Sequence, residues 1–183
     1  VTVPRYSGQA LDFFPYASGD VNRLEDRTRA RAGIDVFWKP NGSNQLTATL
    51  NPDFGQVESD DLVVNFSATE TFFGDKRPFF TEGQQLFDVR FAESGRLVNT
   101  RRIGAAPDAG VAGASDVLAA AKYTGQSGAL EYGIFAALED DSSEAQGRDF
   151  LATRLRRSTE DFALGWLGTW VDRPTRDREA LVN

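Results

Sequence analysis

The feature that most constrains the fold lies between residues 117 and 171, where apolar and polar positions alternate through four successive runs. In 117–124, Val117, Ala119, Ala121 and Tyr123 share one face, with Lys122 and Thr124 opposite. In 130–139, Leu130, Tyr132, Ile134, Ala136 and Leu138 form an unbroken apolar face, opposite Glu131, Gly133, Phe135, Ala137 and Glu139. In 150–157, Leu151, Thr153 and Leu155 oppose Arg154 and Arg156. In 161–171, Phe162, Leu164, Trp166, Gly168 and Trp170 oppose Ala163, Gly165, Leu167 and Thr169. A period of two is that of a strand with unlike faces, whereas an amphipathic helix recurs every three to four residues. Runs of about 8–11 residues suit tilted membrane-spanning strands. The pattern predicts an all-β chain, an antiparallel meander that fits an outer-membrane barrel or a soluble β-sandwich.

The connections agree with the barrel reading. Short turns fall at Gln126-Ser127-Gly128 and Ser158-Thr159-Glu160, and longer polar loops at 140–147 and after Asp172. This short-long rhythm is that of tight periplasmic turns and longer external loops. Tyr123, Phe150, Phe162 and Trp170 near strand ends suit interfacial girdles. Lys122, Glu131, Glu139, Arg154 and Arg156 would then face a wet lumen, where opposite charges pair across neighbouring strands. A soluble β-sandwich is the alternative, its apolar face packed inward. Upstream, Ile34, Val36 and Trp38 in 31–40 and Leu46, Ala48 and Leu50 in 45–50 flank the turn Pro40-Asn41-Gly42-Ser43, a hairpin signal. Segments 62–66 and 99–103 are further short strand candidates, and 105–114 a loop.

Composition removes whole classes of chemistry. The 183 residues carry 20 basic and 27 acidic side chains, a net charge of −7 that argues against nucleic acid as a partner. Without Cys there is no disulfide framework, thiolate nucleophile or Cys-ligated zinc. Without His, a serine-histidine triad is impossible within the chain. No phosphate loop or nucleophile elbow occurs. Residue type alone permits a paired-carboxylate hydrolase, but no two carboxylates stand apart in an apolar run. The reading is a non-enzymatic protein with no cofactor, catalytic residue or metal. There is no Met, so Val1 is not a native start, and a missing signal peptide says little about compartment. Residues 1–183 read as one β-barrel-type domain or a fragment of one.

Residues 51–80 (NPDFGQVESDDLVVNFSATETFFGDKRPFF) are patterned without being period-two. Asp53, Glu58, Asp60 and Asp61 offer the oxygens that calcium prefers, but their spacing matches no calcium loop. The architectural reading is stronger. Phe72, Phe73, Phe79 and Phe80 are expected to be buried anchors, with Glu70 and Asp75 paired to Lys76 or Arg77. Pro78 presets a turn and withholds a ladder donor, so strand pairing should break there. Ser67 and Glu70 have the spacing of a capping box.

The same stretch, extended to 83, resembles the signature of the bacterial family catalogued as domain of unknown function 5916. The match is carried by Leu50, Asn51, Pro52, Asp53, Phe54, Gln56, Glu58, Asp60, Asn65, Glu70, Thr71, Phe72, Phe73, Lys76, Arg77, Pro78, Phe79, Phe80, Glu82 and Gly83. Arg101-Arg102-Ile103-Gly104 and residues 120–125 are similar to it as well. The resemblance implies an outer-membrane β-barrel in which 51–83 is a structural signature segment. It carries no catalytic residue. It implies outer-membrane lipid as partner, with a saccharide or another envelope protein as further candidates, and a role as pore, export component or surface scaffold. A soluble carbohydrate-binding or carbohydrate-active β-domain is the alternative. The chain stops at Leu181-Val182-Asn183 after an expected loop, unlike a complete barrel of this class, which ends on an aromatic strand residue.

Overall fold

The computed structural model describes residues 8–22, 27–52, 77–91, 95–106, 115–141, 147–173 and 179–182. In chain order the elements are β1 (Ala10–Asn22), β2 (Arg27–Asn41), β3 (Asn44–Leu50), α1 (Pro78–Thr81), β4 (Arg90–Phe91), β5 (Gly95–Arg96), β6 (Val117–Ser127), β7 (Leu130–Glu139), β8 (Asp149–Ser158), β9 (Ala163–Asp172) and β10 (Glu179–Val182). Eight of them form one sheet in the order β1-β2-β3-β6-β7-β8-β9-β10. Every neighbouring pair is antiparallel. The expected all-β meander is therefore present, but it is not closed into a barrel: β1 and β10 are its two edges. One long insertion, between β3 and β6, breaks the strand succession. It holds α1, 3-10 turns at Gln84–Leu86 and Thr100–Arg102, and the small β4–β5 hairpin.

Register sorts the side chains into two sets, because directly opposed residues in a ladder lie on one face. One cross-strand row runs Leu11, Trp38, Leu46, Tyr123, Ile134. The next runs Phe13, Val36, Ala48, Ala121, Ala136, Leu151, Trp170. These rows belong to a face rich in exposed apolar side chains. The opposite face carries Phe37, Thr47, Lys122, Phe135, Ala152 and Thr169 in one row, and the insertion packs against it. The core lies in that layer. Phe80, Phe87 and Ile103 of the insertion meet Ala120, Phe135, Ala137, Ala152 and Leu167 of the sheet.

Several expectations are corrected. Residues 99–103 are not a strand. Thr100–Arg102 is a 3-10 turn closed by Arg102 N to Asn99 O (3.1 Å) and Ile103 N to Thr100 O (3.0 Å), so its main-chain bonds are made locally. In β6 the alternation slips at a bulge between Val117 and Ala119, which turns Val117 into the core. Phe150 does not join an outward girdle: it pairs with Ala137 and Val171 and packs against the core. The sequence reading placed no strand after Asp172, but Glu179–Val182 form β10, which pairs with β9 from Val171↔Glu179 to Gly168↔Val182. β1 has no counterpart in the sequence reading. Pro15 and Gly19 interrupt its pattern, and an edge strand tolerates both. The 62–66 candidate strand, the Ser67–Glu70 capping box and most of 105–114 lie outside the described residues.

Candidate functional site

The insertion leaves β3 through Asn51, which adopts a left-handed conformation (φ 49°). Asn is among the few non-glycine residues that tolerate it. Asn51 Nδ2 donates to Ala32 O (2.6 Å), its N–H donates to Leu118 O (2.6 Å), and its carbonyl accepts from Tyr16 Oη (3.1 Å). This corner, with buried Pro52 behind it, ties β1, β2 and β6 at the point where the chain turns off the sheet. Asp53, Phe54, Gln56, Glu58, Asp60, Asp61, Asn65, Glu70, Phe72, Phe73, Asp75 and Lys76 lie outside the described residues.

The chain is described again from Arg77. Pro78 occupies the first turn of α1, where its missing N–H is no loss. Helix α1 delivers Phe79 and Phe80 to the sheet. Phe80 is buried and Phe79 partly so, and their rings are perpendicular at 5.1 Å. Phe135 of β7 is the hub, with Phe80, Phe87 and Phe79 at 5.9, 6.3 and 6.4 Å. Such offset and edge-on pairs add to the burial term. Arg77 stacks 4.0 Å over the Phe80 ring and donates to Thr100 O and Ile103 O, both at 2.8 Å. It thereby joins the two halves of the insertion; Glu70 and Asp75, the carboxylates expected to pair with Lys76 or Arg77, lie outside the described residues. Gly83 follows at φ 64°, a conformation that favours glycine.

Charged side chains of the sheet hold the insertion through its main chain. Lys122 Nζ donates to Phe79 O (2.7 Å) and to Glu82 O. Arg154 Nε donates to Leu86 O (3.1 Å). At the far end of β7, Glu139 and Arg148 form a buried ion pair (2.9 Å). Glu139 also accepts from Gly104 N (2.8 Å) and Arg148 N (3.0 Å), while Arg148 Nη2 donates to Arg102 O (2.9 Å) and Ala105 O (3.1 Å). Gln45 adds a side-chain bond to Glu82 (2.6 Å). Gly133 completes the seat: a Cβ there would meet Leu86 and Phe87 at 2.7 and 2.8 Å. Within the insertion, Arg90 is hydrogen-bonded to Asp88, which raises its pKa above the ordinary value.

Sequence reasoning placed Lys122, Glu139 and Arg154 on the inner face but did not single out Arg148. The available signal was its position across the 140–147 loop from Glu139, beside the register pair Leu138↔Asp149. Glu131 and Arg156, also read as inward, do pair across strands at 3.0 Å. Glu139 is enclosed by donors and has no open side for a substrate. Among the described residues no three acidic side chains gather as a metal-binding group.

No curated protein and no solved structure matches the chain. One family model, described as Domain of unknown function (DUF5916), matches residues 9–148, from just ahead of β1 to the buried arginine after β7. That span holds the asparagine corner, the phenylalanine hub, Lys122 and the Glu139–Arg148 pair, and through it the chain belongs to the DUF5916 family.

Proposed function

We propose that this chain is a wall section of a bacterial outer-membrane β-barrel, non-enzymatic, with the insertion between β3 and β6 acting as a plug on its lumen side. The observation that carries the reading is an inversion of the usual sidedness. Phe13, Ile134 and Leu164 are 56%, 50% and 70% exposed, while Lys122 and Glu139 are 5% exposed and Arg148 3%. In water, burying apolar groups is what drives folding, and charges are the residues kept outside. A continuous apolar face over many strands is stable where lipid covers it.

The charge boundaries along single strands support the same reading. Outward positions of β8 run Asp149, Leu151, Thr153, Leu155, Arg157, with charges at the ends and none between. Eight residue steps at about 3.3 Å, tilted about 40°, span roughly 20 Å, near the height of an outer-membrane apolar band. Outward tyrosines sit towards the short-turn end, where Tyr123 and Tyr132 both donate to Asn44 Oδ1 (3.1 and 2.6 Å). A phenol with its ring in the apolar band and its hydroxyl satisfied suits an interface.

The test is spin labelling of the full chain reconstituted in vesicles, with labels at Ile134 and Leu155. Lipid-soluble oxygen should relax these labels more than a water-soluble nickel complex does, and the protein should show heat-modifiable gel migration. A chain that stays monomeric without detergent, with water-exposed labels at both positions, overturns the reading.

A further inference from the structure

Between the insertion and strands β8 and β9 lies a cavity of about 330 Å³, within the size range of small-molecule sites. Its floor is the cross-strand row Phe135, Ala152, Thr169, in which an alanine stands between two larger residues. Its walls are apolar, with Val98 and Ile103 from the insertion and Phe150 and Val171 from the sheet. Two neutral polar side chains border it, Asn99 and Thr169, both half-buried. Neither side chain makes a hydrogen bond among the described residues, and Asn99 does not cap the 3-10 turn that it precedes. Arg102 and Arg173 border the cavity too, but each is already engaged by another group. No carboxylate is among the described lining residues.

We propose that this cavity is a binding site for a small uncharged molecule with an aromatic body and one hydroxyl group. The apolar walls take the body, and burying it supplies most of the affinity. Phe135 and Phe150 offer ring faces and edges to an aromatic partner. Asn99 and Thr169 can each donate and accept, so the ligand's hydroxyl finds a partner for its proton and for its lone pairs. Charge of either sign is disfavoured. A cation would lose its hydration beside two guanidinium groups, and an anion would lose it without gaining an uncommitted counter-charge. The inference goes beyond the membrane-wall reading and does not depend on it, since the cavity lies between insertion and sheet whatever covers the outer face.

The experiment is calorimetric titration of the full chain in nanodiscs with 2-phenylethanol, and in parallel with ethylbenzene, phenylacetate and 2-phenylethylammonium. Empty nanodiscs serve as the blank for partitioning. The alcohol should bind saturably at one site, about threefold or more tighter than ethylbenzene, as one net hydrogen bond allows. It should bind roughly tenfold tighter than either ion, whose charge goes unmatched. Two variants, checked for parental circular dichroism, locate the site. Thr169→Val removes the hydroxyl and should weaken the alcohol about threefold while leaving ethylbenzene unchanged. Ala152→Leu fills the floor and should weaken both neutral probes about tenfold. Absence of saturable alcohol binding to the parent overturns the proposal. So does equal binding of all four probes, or tighter binding of either ion, and neither result needs a variant to fold. Unchanged alcohol affinity in both folded variants overturns it as well.

Discussion

Glu139 accepts from a lysine-free set of donors: the Arg148 guanidinium, the Arg148 N–H and the Gly104 N–H. Removing one partner of a buried pair strands the other's charge, so Arg148→Ala should destabilise by about 3–5 kcal/mol. Replacing both, as Glu139→Leu with Arg148→Met, should not restore the parent. Gly104 N, Arg102 O and Ala105 O would each lose a buried partner, at roughly 1–3 kcal/mol per group. Urea unfolding in vesicles measures both; a double variant as stable as the parent would show that the pair serves only itself. The aromatic hub makes a parallel case. Phe135→Ala and Phe80→Ala should each cost about 3–5 kcal/mol, and Phe79→Ala less, because Phe79 is only partly buried. Equal losses for Phe79 and Phe80 would contradict the observed packing.

At the scale of the element, β7 is the informative strand. Its outward positions Leu130, Ile134 and Leu138 are exposed, and its inward positions Gly133, Phe135, Ala137 and Glu139 are buried under the insertion. If lipid covers this face, as proposed, Ile134→Arg places a charge at the middle of the apolar band and should weaken folding into bilayers by about 2–4 kcal/mol. The proper inward control is Gln126→Arg on β6, which lies directly opposite Glu131 on the exposed end of the inner face. It should change folding by less than about 1 kcal/mol. Gly133→Arg would not serve, because Leu86 and Phe87 occupy the space of its side chain. Equal losses for Ile134→Arg and Gln126→Arg, read from folding yields across lipid concentrations, would mean that lipid does not cover β7.

Among the described residues the molecule is one open eight-stranded sheet with one face occupied by the insertion. An eight-stranded barrel has an interior just wide enough for side chains. Here the inner face carries a folded insertion with its own helix turn, 3-10 turns and hairpin, and β1 and β10 stand as open edges. A closed wall that keeps this insertion inside therefore needs more than eight strands. Cysteines introduced at Phe13 on β1 and Ala180 on β10 should not form an intramolecular disulfide in the bilayer-inserted chain. Both positions lie on the same cross-strand row, so efficient oxidation between them would show that eight strands close on themselves.

Strands β6 to β9 and their two faces were legible in the sequence because side-chain direction alternates as a local consequence of extended backbone. Ile134 outward and Phe135 inward follow from position along the strand alone. The hairpin at Asn41 and the break at Pro78 were legible for the same reason, being set by the turn residues themselves. What fills the inner face was not. Lys122 reaches Phe79 O and Arg148 reaches Arg102 O across some 43 and 46 residues of chain, and their acceptors are main-chain carbonyls that carry no sequence signature. The bulge that turns Val117 inward, and the pairing that makes β10 a strand, likewise depend on a neighbouring strand rather than on their own residues. Local alternation determined which side of the sheet is apolar; only the tertiary structure decided that the charged side would be buried, because it brings a distant segment's carbonyls to meet those charges.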